Sequence, residues 1–184
     1  MEPTEIAAQI IGIVAMAMNC LSYQQKRQNA VLALQLCGSA LFVVNFFLLG
    51  AFAGALLNAI AILRAIVFMK KDKLHANHPA WLIGLIAAYL LSYILVFTVF
   101  GKEANALNLI VEMLPVIGMT LMTIAFRYQS ATMTRRFGMI NSPLWLVYNI
   151  FSFSIGAICC ESLNIASIII GILRIDRKKT PEEH

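Results

Sequence analysis

Residues 30–69 form an apolar stretch that cannot stand as a single helix. At the rise of an α-helix it would be about 60 Å long, twice the roughly 30 Å of hydrocarbon in a bilayer. The stretch must therefore fold back, and Gly50 near its middle is the natural turn. A second stretch of nearly equal length, residues 137–175, has Gly156 near its middle. Three single-length stretches, 6–22, 80–100 and 105–126, complete the set. Seven membrane spans result. Hydrophobic residues make up 60% of the chain and charged residues 12%, which is too little polar surface to cover a water-exposed globule. The expected fold class is an all-α integral membrane protein.

The charges orient the spans. With the N-terminus outside, the cytoplasmic segments hold Lys26 and Arg27; Arg64, Lys70, Lys71 and Lys73; Arg127, Arg135 and Arg136; and Arg174, Arg177, Lys178 and Lys179. Only Lys102 falls on the other side, so the positive-inside rule points to N-out and C-in. The acidic start, Glu2 and Glu5, runs straight into a span without an obvious small-residue cleavage site, so a cleaved signal peptide is not expected. The net charge of +5 comes from short clusters between apolar runs. No basic stripe with interleaved aromatics suits nucleic acid, and the expected partner is the lipid bilayer.

The two halves repeat. Tyr23-Gln24 ends the first span and Tyr128-Gln129 the fifth; Ser39, Leu41 and Phe42 resemble Ser142, Leu144 and Trp145. Gly50-Ala51, Leu57-Asn58 and Ile62 recur with identical spacing as Gly156-Ala157, Leu163-Asn164 and Ile168. The resulting plan is two parallel three-helix repeats joined by a linker helix: residues 1–70, the first repeat; 71–101, a cytoplasmic loop and inverting linker helix; 102–184, the second repeat and a basic tail. Parallel repeats about an axis along the membrane normal are one known transporter construction. The fourth span, with few polar groups, reads as a structural spacer.

Three runs carry a family resemblance: Phe46-Phe47-Leu48-Leu49-Gly50, Leu57-Asn58-Ala59-Ile60 and above all Val111-Glu112-Met113-Leu114-Pro115-Val116-Ile117-Gly118. They resemble the YgjV family of bacterial inner membrane proteins over most of the chain. The resemblance implies an inner membrane location and a fold of the SWEET and PQ-loop type. Here Tyr precedes Gln24 and Gln129, where a PQ-loop has Pro. SWEET-type carriers have hinge prolines in both repeats, whereas this chain has Pro115 and Pro143 in the second repeat only.

Polar side chains at membrane depth need a partner or a cavity. Asn58 and Asn164 lie equally far from Gly50 and Gly156, about 12 Å down a helix. They are expected near the midplane, facing each other across the repeat interface; in SWEET-like carriers such asparagines contribute to the substrate pocket. The alternative is that each bonds to a neighbouring helix as packing glue. Glu161 lies one turn outside Asn164, and Glu112 lies at similar depth; neither has an equivalent in the first repeat. Each would carry a proton or hold a cation if it faced a cavity. In the alternative, Glu161 sits at the headgroup boundary and Glu112 pairs with a backbone or amide donor. Asn149 and Trp145, with Asn45 and Tyr148, would line a pocket wall or anchor the interface. Arg64 and Arg174 are expected to snorkel toward cytoplasmic phosphates.

No Ser/His, paired-Asp or HExxH arrangement points to an enzyme. His75-x-x-His78 has no further ligands beside it, and none of Cys20, Cys37, Cys159 and Cys160 forms a CxxC pair with metal spacing, so no metal or cofactor is expected. Gly50-x-x-x-Gly54 permits close helix contact and leaves a homo-oligomer open. The expected function is a SWEET-like transporter or facilitator of a small polar solute, with or without a proton. The other reading is a non-transporting scaffold or partner-binding subunit, which predicts a dry interface between the halves.

Overall fold

In lipid every backbone polar group must be satisfied within the segment, so each apolar stretch becomes a helix. The computed structural model describes residues 3–48, 52–151 and 155–177. These form seven α-helices: α1 (Pro3–Ser22), α2 (Gln28–Leu48), α3 (Phe52–Met69), α4 (Pro79–Thr98), α5 (Ala106–Arg127), α6 (Ala131–Phe151) and α7 (Ile155–Gly171). A π-helical turn, Ile172–Asp176, extends α7. Stretches of 21, 20, 22 and 19 residues, at Gln28–Leu48, Pro79–Thr98, Ala106–Arg127 and Ile158–Asp176, are long and apolar enough to cross a membrane; Ile6–Ser22 and Gly54–Met69 are shorter apolar helices.

The expected turn at Gly50 lies outside the described residues. Gly156 belongs to the first turn of α7. The start of α6 also differs from expectation. Ser130 Oγ accepts from the Met133 N–H at 3.4 Å, a cap that starts the helix at Ala131 and not near residue 137. Arg135 and Arg136 are therefore helical. Elsewhere Pro79 occupies the first turn of α4, capped by His78, whose Nδ1 accepts from the Ala80 N–H at 3.2 Å. Asn105 caps α5 by accepting from the Asn108 N–H at 2.8 Å.

Neighbours in the chain pack side by side, α1 on α2 on α3 and α5 on α6 on α7. The two sets meet where α1 touches α7, α2 touches α6 and α3 touches α5. Six helices thus close a ring, and α4 packs against both α3 and α5 over the seam between them. A buried hydrogen bond ties α4 to α5, with Tyr89 Oη 3.0 Å from Thr123 Oγ1, while Ser92 donates to the Ala88 carbonyl of its own helix.

The bonds between the two sets concentrate at one end, the end of the basic loops. Gln24 Nε2 donates to the Ser167 carbonyl (2.6 Å) and hydroxyl (2.8 Å), tying α1 to α7. Gln129 Nε2 donates to the Phe68 carbonyl at 3.0 Å, tying the end of α5 to α3. Each half of the repeated Tyr-Gln pair thus bridges to the opposite set. Thr134 Oγ1 donates to Gln28 Oε1 at 2.9 Å, between α6 and α2.

Arg135, expected in a loop, is the largest fully buried side chain among the described residues, at 1% exposure. Its guanidinium holds the Asp176 carboxylate through Nε at 2.9 Å and through a second contact from Nη2. Its Nη1 donates to the carbonyls of Gln25 (2.7 Å) and Tyr23 (3.2 Å). A planar fork with five donors can satisfy these acceptors together, which a lysine cannot.

Candidate functional site

A cavity of about 770 Å³ occupies the centre of the ring. That is within the usual range for small-ligand sites, about 300–1,000 Å³. All seven helices contribute to its wall. Ser92, Tyr93 and Val96 of α4 close the seam between α3 and α5, so α4 is part of the site and more than a spacer.

The cavity brings together Asn58, Asn164, Glu112, Glu161, Asn149 and Trp145, the residues singled out from the sequence. Pro115 also lines it; Pro143, the other expected hinge, does not. Pro115 and Pro143 stand inside α5 and α6, where each lacks the N–H that would bond the carbonyl four residues earlier.

The two asparagines share the cavity but differ in bonding. Asn58 Nδ2 donates to the Gly54 carbonyl of its own helix at 2.9 Å. Asn164, nearly fully buried, accepts from the Cys20 thiol at 3.3 Å and directs Nδ2 toward Glu161 Oε2 at 3.5 Å. Helices α3 and α7 do not touch among the described residues, so the amides stand on separate walls and not against each other. Asn45 serves packing: its Nδ2 donates to the Ala8 carbonyl at 2.7 Å. Trp145 meets Tyr148 edge to face at 5.7 Å.

The carboxylates are also unlike. Glu112, at 7% exposure, pairs with Lys102. Its counter-ion comes from the loop before α5, not from a backbone or amide donor. Glu161 pairs with no cation among the described residues.

Arg64 overturns the expectation of snorkelling. It is 6% exposed, lines the cavity, donates from Nη1 to the Met119 carbonyl at 3.2 Å and stacks on Phe126 with Cζ 4.8 Å from the ring centre. Thirteen residues into an 18-residue helix, it is still within the packed interior. The α5 ring and carbonyl take the place of lipid phosphate.

The lining positions have a common register. Gln9, Gly12, Ile13, Met16 and Asn19 of α1 line the cavity, as do Glu112, Pro115, Val116, Met119 and Met122 of α5, each pair 103 residues apart. Ser39, Phe42, Asn45 and Phe46 of α2 match Ser142, Trp145, Tyr148 and Asn149 of α6 at the same separation. Gln9 thus lines the cavity 103 residues before Glu112. Asn19, Gln35, Asn141 and Arg64 also line the wall. Their signal was present as polar residues at helical spacing inside apolar runs.

The run from Val111 to Gly118 now has a physical reading: Glu112 and Pro115 face the cavity, and Gly118 lets α6 approach α5. A Cβ on Gly118 would lie 2.5 Å from Asn141 Oδ1 and 3.3 Å from Trp145 Nε1. Gly118→Ala should therefore lower stability in detergent by about 1–3 kcal/mol. Gly84, where an added Cβ meets nothing within 4 Å, supplies the control: Gly84→Ala should leave the melting temperature unchanged or raised. Equal melting of both variants would contradict the close approach.

No curated protein and no solved structure matches the chain. The profile of the family described as a bacterial inner membrane protein, Imp-YgjV, matches residues 6–179. That range takes in the whole cavity wall, from Gln9 to Asn164. With helices apolar enough to cross a bilayer and a match over nearly its entire length, the chain belongs to the YgjV family of bacterial inner membrane proteins.

Proposed function

We propose that this protein is a SWEET-like transporter or facilitator of a small polar solute, with its site between two parallel three-helix repeats joined by α4. The observation that carries the reading is the constant register of the lining. Residues of α1 and α5, and of α2 and α6, line one cavity at positions 103 apart, and its wall carries polar and charged groups among apolar ones. A scaffold needs no such cavity and has no use for charged groups in it, which are costly in a membrane interior.

In this reading seven spans run from an outside N-terminus to a cytoplasmic C-terminus, with the basic loops inside. The ties through Gln24, Gln129, Thr134 and Arg135 hold the cytoplasmic end shut, while the cavity faces outward. Transport exchanges that state for one in which these bonds part and the outer ends close. The protein is no enzyme and holds no cofactor; its partners are the bilayer, the solute and, if coupled, a proton, with or without a second copy of the chain.

Uptake into proteoliposomes of a broad panel of small polar solutes tests this. Wild-type protein should raise uptake of at least one solute well above empty liposomes, and Asn58→Ala and Glu112→Gln should reduce it. Equal uptake by empty, wild-type and variant liposomes across the panel would count against transport.

A further inference from the structure

Three charged side chains line the cavity: Arg64, Glu112 and Glu161. Glu112 has its counter-ion in Lys102. The other two have none among the described residues. Arg64 spends Nη1 on the Met119 carbonyl and sulfur, its Nε is buried without an acceptor, and its Nη2 makes no hydrogen bond to a described residue. Glu161 receives a long contact from Asn164 at 3.5 Å and has the Ser142 hydroxyl beside it, neither of them a cation. They do not neutralise each other, because α3 and α7 stand on separate walls with the cavity between them. Tyr23, within electrostatic reach of both, lines the same cavity.

An unpaired buried charge is expensive, and removal of one member of a buried pair is among the most destabilising changes known. A cavity that keeps a guanidinium and a carboxylate apart and unpaired is complementary to a solute with the reverse arrangement. We infer that the solute is a small zwitterion, with its carboxylate on Arg64 and its ammonium on Glu161. This rests on the transporter reading and adds the substrate class. A guanidinium fork matches the two oxygens of a carboxylate. The aromatic rings of Trp145 and Tyr93 on the wall suit the apolar part of such a molecule. A neutral polyol would leave both charges unanswered, a monoanion would leave Glu161, and a monocation would leave Arg64.

Binding to the purified full-length chain in detergent separates this inference from transport. The probes are the common L-amino acids, glycine betaine and phosphoethanolamine. The best-binding amino acid is then compared with its amide, which lacks the carboxylate, and its deaminated acid, which lacks the ammonium. At least one amino acid should bind, and loss of either charge should weaken binding about tenfold to a hundredfold, the worth of one charge-assisted hydrogen bond. Arg64→Gln should abolish the preference for the acid over the amide, and Glu161→Gln the preference for the amine. Arg64→Lys, which keeps the charge but not the fork, should retain part of it and guards against a folding defect.

The inference is overturned if no amino acid binds, if phosphoethanolamine binds in their place, or if both Gln variants keep wild-type preferences. Betaine binding alone, without any amino acid, would likewise overturn the ammonium assignment. Zwitterion binding without flux would sink transport and leave this site standing. Flux of a neutral solute without binding of amino acids would do the reverse.

Discussion

Arg135→Met should be the most damaging single substitution for stability in this chain, costing about 3–5 kcal/mol. That is a large share of the roughly 5–15 kcal/mol that separates a folded domain from its unfolded ensemble. The change strands the Asp176 carboxylate and leaves the carbonyls of Tyr23 and Gln25 without their donor. Thr132 Oγ1, which donates to Asp176 at 2.8 Å, cannot replace a cation. Asp176→Asn should cost less, because the amide oxygen still accepts from the guanidinium. The double variant should recover part of the loss of Arg135→Met, since no unpaired carboxylate remains. It should not recover all of it, because the two carbonyls are still unanswered. Melting in detergent and the monodisperse fraction after purification check this series; a melting temperature for Arg135→Met equal to wild type would contradict the clasp.

The second large effect concerns movement. If the basic-loop end must part during transport, a covalent tie there should stop it. Gln24 and Ser167 already touch across α1 and α7 at 2.8 Å. Cysteines at both positions, joined by a short bis-thiol reagent in a chain whose four native cysteines are replaced by serine, should bring flux to the background of empty liposomes. A reducible reagent should restore flux when the link is cleaved, and either single cysteine treated alike should remain active. Undiminished flux in the linked protein would mean that this end does not open.

These two predictions rest on residues that the sequence made visible to different degrees. Hydrophobic length and the fold-back requirement were enough to separate the seven helices, because an apolar run longer than a bilayer has no alternative. Helix ends were less legible. The cap by Ser130 moved the start of α6 toward the N-terminus, and with it Arg135 from solvent into the packed interior. A basic residue near a loop reads as snorkelling until its acceptors are known, and those of Arg135 lie about 110 residues earlier and 41 later in the chain. Arg64 misled in the same way, for its acceptor is a carbonyl of α5.

The cavity wall was partly readable. Asn58, Asn164, Glu112, Glu161, Asn149 and Trp145 stood out as polar or amphipathic groups at depth, and all line one space. Gln9, Asn19 and Gln35 follow the same logic, in that Gln9, Gly12, Met16, Asn19 and Tyr23 form one stripe of α1 at spacings of three and four. What no spacing could reveal is pairing. Lys102 reaches Glu112 from a loop, and Glu161 is left without a cation among the described residues, although both glutamates look alike in sequence.

Transport through this ring requires water to reach its centre from the side opposite the basic loops. Met119 lies at the level of Arg64 on the cavity wall, and Ile117, two residues away, is 43% exposed on the outer surface of α5. In the serine background, single cysteines at these two positions can be offered a membrane-impermeant thiol reagent from the N-terminal side. Only a hydrated thiol ionises and reacts. Met119→Cys should be labelled, and Ile117→Cys, facing lipid, should not. An unreactive Met119→Cys beside the same inert control would mean that the ring is dry, and the transport reading would fall with it.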